Sequence, residues 1–192
     1  ADGTDYNDRE YFKRSMQGEV VVSDPVIAKT DGKISVIISA PVYEGGDKDG
    51  EIIGVVFVVP DPEFLNDICA AISFSKHSGC YLLGSTGTTI AHSDSAIAQE
   101  QKNNIELSQT DSSLKGIAKI EQKMLNGETG YGTYFRNGVY TLQAYAPIEG
   151  TNGWMVAVDA PVTDFLGSVV IGIIIGAAIG VIAVAYSIYK AK

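Results

Sequence analysis

Histidine and cysteine are scarce in this sequence, two of each, and tryptophan occurs once. His77 and His92 do not stand at metal-ligand spacing, and neither lies near a GxSxG or HExxH pattern. No catalytic residue, metal or cofactor is therefore expected, and the chain reads as a non-enzyme. His92, just before Ser93-Asp94, reads as a turn neighbour. The Asp47–Gly50 turn (DKDG) lacks the ligand run and closing glutamate of a calcium loop, and reads as a hairpin turn. Cys69 and Cys80 are too few for a disulfide framework. They fall in an expected helix and at an expected strand start, and are either one bridge or two small buried residues. Basic residues are also short, 14 against 23 acidic, for a net charge of −9. That balance excludes a nucleic-acid footprint and resists flat adsorption on anionic lipid.

What the chain does have is a long uncharged apolar run near its end, FLGSVVIGIIIGAAIGVIAVAYSI, Phe165 to Ile188. About 20 apolar residues cross a bilayer core, and this stretch has no polar face that would suit it to a globular core. A transmembrane helix over 165–188 is expected, with Tyr186 and Tyr189 at its interface and residues 189–192 beginning a cytoplasmic region. Lys190 and Lys192 after it, with Asp159 and Asp164 before it, put the C-terminus in the cytoplasm and residues 1–164 outside a cell (plasma or inner) membrane, with lipid as a partner. Gly172, Gly176 and Gly180 recur every four residues; they form either a helix–helix seam consistent with a homodimer or the ordinary glycine of membrane helices. The chain opens on Ala1 with no export signal, so it is expected to be a piece of a longer one, cut before Ala1 and after Lys192.

The remaining ~165 residues suit one domain or two small ones, and they contain a repeat. GKISVIISAP (32–41) and GVYTLQAYAP (138–147) each read as a turn glycine, a strand and an Ala-Pro stop. Each is followed by a second strand closing on Pro, two residues, an acid and Phe-Leu: GVVFVVPDPEFL (54–65) and GWMVAVDAPVTDFL (153–166). The loops EGGDKDGE and EGTNG are turn chemistry between antiparallel neighbours. VVFVV reads as a strand buried on both faces. Asp61-Pro62 starts a helix expected from Pro62 to Ser73, with Asp61 as its cap. CYLLGSTGTTIAH reads as a hairpin and residues 93–112 as a polar surface loop. Leu114, Ile117, Ile120, Met124 and Leu125 mark a helix from Leu114 to Asn126, capped by Gly127, after which GYGTYF resumes the sheet. The fold class expected is α+β: two small modules, each an antiparallel sheet with flanking helices, over 1–74 and 75–164, the first lacking an N-terminal strand and helix.

In combination DYNDREYF, VSDPVIAKTDGK, SAPVY, GVVFVVPDPEFLNDI, YLLGSTGTTIAH, NGETGYGTYF and AYAPIEGTNGWMVAV, followed by the apolar run, resemble the double Cache (dCache) extracytoplasmic sensor region of bacterial methyl-accepting chemotaxis receptors, truncated at both ends. The resemblance covers nearly the whole chain. It implies two PAS-like Cache modules, a ligand pocket in the membrane-distal one, and signal transduction from a bound small molecule across the membrane. Sensor histidine kinases and diguanylate cyclases share such outer regions; a membrane-anchored binding or adhesion protein without signalling is the other alternative. The sequence after Lys192 would discriminate them.

The resemblance also implies site residues. The amino-acid-binding motif of the family, Arg, one residue, then two aromatics, is matched by Arg9, Tyr11 and Phe12, and an aspartate one short loop later by Asp24 beside Ser23. Arg9 would hold a carboxylate in a bidentate pair, Tyr11 and Phe12 would wall the ligand from water, and Ser23 or Asp24 would accept from it. On the residues alone, Arg9 could equally open a helix with two core aromatics, and Asp24 before Pro25 could be a turn residue. One position departs from the family's pattern. The aspartate that grips an ammonium group on the last distal strand is replaced by Val59, and Asp61 belongs to the helix cap. An apolar residue cannot compensate a buried ammonium, so a ligand with a carboxylate or carbonyl but no amine, a short organic acid or a nucleobase, is expected ahead of an α-amino acid.

Overall fold

The computed structural model describes residues 4–27, 29, 34–61, 63–167, 175 and 177–179. Helix α1 (Glu10–Ser15) is followed by β1 (Val21–Val22), β2 (Val26–Ile27), β3 (Ile34–Ser35), β4 (Ile38–Tyr43), β5 (Ile52–Val58) and α2 (Phe64–Ala71). Then come β6 (Gly79–Leu83), β7 (Thr89–His92), α3 (Ser95–Gln99), α4 (Asn104–Leu107), α5 (Lys115–Leu125), β8 (Gly130–Arg136), β9 (Val139–Pro147) and β10 (Met155–Pro161). The class is α+β, with antiparallel sheets and helices.

The smaller sheet has the order β1-β4-β5, beside the β2-β3 ribbon. Helix α1 packs on it through a core of Tyr11, Val21 and Ile37, flanked by Tyr6, Phe12 and Phe57. The buried Ser15 and Ser39 hydroxyls meet at 2.8 Å and pin α1 to β4. Two expectations change here. The "Ala-Pro stop" does not end β4: Pro41 lies inside the strand opposite Val55, and β1 reaches only Ser39 and Ile38. At Pro41 one side of β4 is an edge, where a residue without N–H is tolerated. Strand β5 is not buried on both faces: Ile53, Val56 and Val58 are exposed, because β5 is the outer strand of this sheet and packs only its Phe57 side.

The larger sheet has the order β7-β6-β10-β9-β8. Strand β6 is buried on both faces. Tyr81 and Leu83 meet Ile120 and Met124 of α5 on one side, while Cys80 and Leu82 meet Cys69 of α2 on the other. Both thiols are free and buried. The hairpins follow their turn chemistry. Asn137 (φ 52) and Gly138 (φ 81) form the two-residue β8–β9 turn, with the positive φ values that type I′ requires. Helix α5 ends as expected: Gly127 (φ 75) donates to the Met124 carbonyl at 2.8 Å and Glu128 to that of Lys123 at 3.2 Å, a Schellman pattern.

Residues 93–112 do not form a plain loop. Asp94 and Asn103 cap α3 and α4 with their side chains, and Asp111 caps a 3-10 turn at Ser112–Leu114. The polar composition that reads as solvent-exposed loop is thus capping chemistry. Helix α2 starts at Phe64, two residues later than expected, with Asp61 Oδ1 accepting from the Glu63 N–H at 2.9 Å.

Strand β10 sits at the centre of the larger sheet, between β6 and β9, and residues 162–167 turn helical directly after Pro161. The carboxylate of Asp164 on that helix accepts from Ser75 Oγ at 2.7 Å and from the His77 N–H at 2.8 Å, with His77 Nδ1 2.8 Å from its other oxygen. Its side chain is 8% exposed, and the hydrogen bonds from His77 and Ser75 pull its pKa down to about 2. The α2–β6 loop is thereby fastened to the first turn after the sheet. Most of the membrane span expected over Phe165–Ile188, all three seam glycines and residues 189–192 lie outside the described residues. Among the described residues no helix is long and apolar enough to cross a membrane.

Candidate functional site

A cleft of about 370 Å³ opens where α1, the β1–β2 segment and the β9–β10 loop meet, lined among others by Arg9, Tyr11, Ser23, Asp24, Arg14 and Asn152. It brings together four of the five expected site residues. Arg9 stands in extended conformation just before α1. Tyr11 is buried, and burial pushes its phenol pKa up. Phe12 lies outside the cleft and packs on the smaller sheet's core. Tyr11 shares that core with Phe12 but also reaches the cleft, whereas Phe12 does not line it.

Ser23 and Asp24 are already engaged. The Ser23 hydroxyl donates to the Asp24 carbonyl at 2.8 Å and accepts from the Ile37 N–H at 3.0 Å. The Asp24 carboxylate accepts from Ser85 Oγ (2.6 Å), the Ser85 N–H (3.3 Å), Asn152 Nδ2 (3.0 Å) and Trp154 Nε1 (2.8 Å). Burial works against its charge, but the donors Ser85, Asn152 and Trp154 outweigh it and hold the carboxyl below its ordinary range. Asp24 is therefore a joint between the smaller sheet and the loops of the larger one. Arg14, which bonds Glu19 at 2.7 Å and reaches Asn152 at 3.5 Å, adds a second guanidinium that the sequence motif did not single out. Its place on the cleft side of α1 needs only the helical period; the arrival of Asn152, far along the chain, has no sequence signal.

Other carboxylates near Arg9 are partnered or exposed. Asp8 pairs with Lys29, whose hydrogen bond lowers its pKa, and Glu10 is exposed. Asp61 lies in a different cavity of about 230 Å³, with Pro25, Glu63 and Asn66. The Val59 position beyond β5 supplies no carboxylate to the cleft. An apolar groove of about 370 Å³ between α2 and the sheets, with Phe64, Ile68 and Cys80 in its wall, offers no charged group to orient a ligand. Among the described residues no cluster of three or more metal-ligating acids, histidines or cysteines occurs.

The chain belongs to the Cache domain family, whose model matches residues 1–169. Solved structures share its fold. The ligand-binding domain of the Campylobacter jejuni chemoreceptor Tlp3, in complex with 4-methylisoleucine, is 16% identical with a TM-score of 0.57, over 84% of this chain and 56% of that one. The extracellular domain of the putative histidine kinase mmHK1S-Z3 is 17% identical with a TM-score of 0.62, over 86% and 58%. The ligand-binding domain of Mlp24 with asparagine is 18% identical with a TM-score of 0.51, over 84% and 59%. The chain thus spans under three fifths of the length of these solved domains. No curated protein matches the sequence.

Proposed function

We propose that this chain is the extracytoplasmic ligand-sensing part of a membrane receptor, of chemoreceptor or sensor-kinase type, and has no catalytic activity of its own. It comprises two Cache modules and binds a short organic acid, or an amino-acid-like ligand, in the cleft of Arg9 and Tyr11. The carrying observation is that one cavity joins Arg9, Tyr11, Ser23 and Asp24 to the β9–β10 loop. Arg9 holds the ligand's carboxylate and Tyr11 gives the cleft an apolar wall. The organic-acid reading is favoured because Asp24 and Asp8 are committed to protein partners, which leaves no enclosed carboxylate for an ammonium group. Chemoreceptors and putative histidine kinases, whose solved domains share its fold, support the receptor reading at the level of fold. Because Asp24 joins the cleft to Trp154 and β10 leads straight into the helix at 162–167, a ligand favouring one arrangement of this joint would shift the helix as a small piston or tilt.

Titration calorimetry of the full chain against short mono- and dicarboxylates and against α-amino acids tests this. Saturable binding of a carboxylate, weakened tenfold or more by Arg9→Ala, is expected. Tight binding of ordinary amino acids with no carboxylate binding would overturn the organic-acid reading, and binding unaffected by Arg9→Ala would overturn the site.

A further inference from the structure

Among the described residues, the most buried acid lies away from the cleft. Glu121 is on the apolar stripe of α5, one turn from Ile117 and beside Ile120 and Met124, and is 0% exposed. Its Oε1 accepts from Asn104 Nδ2 at 2.8 Å and from the Tyr81 hydroxyl at 3.2 Å. Its Oε2 is buried without a hydrogen-bond partner. Gln143, also 0% exposed, donates through Nε2 to the same Tyr81 hydroxyl at 2.8 Å, while its Oε1 is likewise buried and unpartnered.

A carboxylate has four lone-pair positions to satisfy, and here all the donors converge on one oxygen. A protonated Oε2 becomes a donor instead, and the same cluster contains an amide oxygen without a partner. The geometry points to Glu121 as a proton-binding site, a carboxylic acid that ionises on mild alkalinisation and gives the sensor a pH input separate from the ligand cleft. This inference goes beyond the ligand reading and does not depend on it.

The surroundings agree. Burial raises the Glu121 pKa to about 7, against the smaller opposing hydrogen bonds from Asn104 and Tyr81 and the more distant charge of Arg136. On β6, Tyr81 itself has a raised pKa, through burial and the nearby Glu121. On β8, Tyr134 donates to Asp159 of β10 at 2.8 Å; Tyr131 is exposed and Arg136 half-buried. On β9, Tyr145 is buried and Tyr140 exposed, and His92 of β7 stacks on Tyr81. Glu106 of α4, Asp111 before the 3-10 turn, and Lys115, Lys119 and Lys123 of α5 are exposed. Losing the proton places a charge in a cluster whose donors serve only Oε1, so α5 must shift or Gln143 must turn its amide. Tyr81 and Gln143 lie on the two strands that flank β10, which places the change beside the strand that leads into the helix at 162–167.

The test is a carbon-13 NMR titration of glutamate carboxyls in the ligand-free full chain, with Glu121→Gln identifying the resonance. A one-proton transition near pH 7 is expected, accompanied at the same midpoint by amide shifts in β6, β9 and β10. Tyr81→Phe removes a donor that favours the charged form and should move the midpoint up. The folded state binds this proton more tightly than the unfolded chain. The contribution of Glu121 to stability is therefore full below about pH 4.5 and is lost as pH rises through about 7, raising the unfolding constant on the order of a hundredfold by that pH. Should Glu121→Gln fail to fold, the wild-type titration together with Tyr81→Phe still decides. A Glu121 midpoint in the ordinary carboxylate range, no titration up to about pH 9, or amide shifts confined to α5 would each overturn the inference.

Discussion

Asp24 joins the smaller sheet to Ser85, Asn152 and Trp154 of the larger sheet's loops, and these partners make the consequence of losing it calculable. Trp154 is 2% exposed and its indole N–H donates to this carboxylate. Replacing Asp24 by Ala leaves that N–H and the Asn152 amide without their acceptor. Hydrogen bonds to a charged group are worth about 1.5–3 kcal/mol, and orphaning a buried donor costs a similar amount. Asp24→Ala should therefore destabilise the chain by about 2–3 kcal/mol in urea unfolding. A residue that only shaped a turn before Pro25 would change stability by no more than about 0.5 kcal/mol. A residue reserved for ligand would abolish binding and leave stability alone. The same residue shows where sequence reading stops. Its type and its place beside Ser23 were visible, whereas its attachment to Ser85, Asn152 and Trp154 depends on chain segments that meet only in the fold. Glu121 was hidden differently. An acid on a helix reads as solvent-facing, although its i+4 spacing from Ile117 puts it on the buried stripe that the neighbouring aliphatic residues already marked.

Elements whose ends are written in local chemistry were the legible ones. The β8–β9 turn at Asn137-Gly138, the hairpin loops and the C-terminus of α5 follow from residues that tolerate positive φ. The repeated pattern of Pro, two residues, an acid and Phe-Leu corresponds to two strand-to-helix passages, β5 into α2 with residues 59–63 between them and β10 directly into 162–167. What was not legible depended on neighbours in space: Pro41 inside β4, the open face of β5, and the short capped helices α3 and α4. The α5 terminus offers a clean measurement of one local term. Gly127 sits at φ +75, and a Cβ built there meets nothing within 4 Å. Gly127→Ala would thus cost only left-handed backbone strain, about 1–2 kcal/mol, read as a lower Tm. Gly127→Asn, which tolerates that conformation, should recover most of the loss. Equal losses for both would show that something other than backbone conformation is at stake.

At the scale of the whole molecule, the topology places the last of the described strands at the middle of the larger sheet. Strand β10 touches β6 and β9 along its length and passes into helix at residue 162 with no intervening loop. A strand so held cannot slide without its neighbours, and any displacement of the sheet is delivered to the helix directly. The Asp164 contacts with Ser75 and His77 add a second tether from the α2–β6 loop, so the first helical turn is fixed from two directions. A flexible Gly-Ser insertion immediately after Pro161 leaves every β10 ladder pair in place and removes the rigid passage. In the full chain with such an insertion, ligand affinity by calorimetry should match the parent, because the cleft is built from α1, the β1–β2 segment and the β9–β10 loop. The ligand-dependent change in distance between spin labels on β10 and on the exposed side of 163–166 should disappear. If that change persists at its original amplitude, the signal travels by the Asp164 tether instead, and Asp164→Asn combined with the insertion should then abolish it.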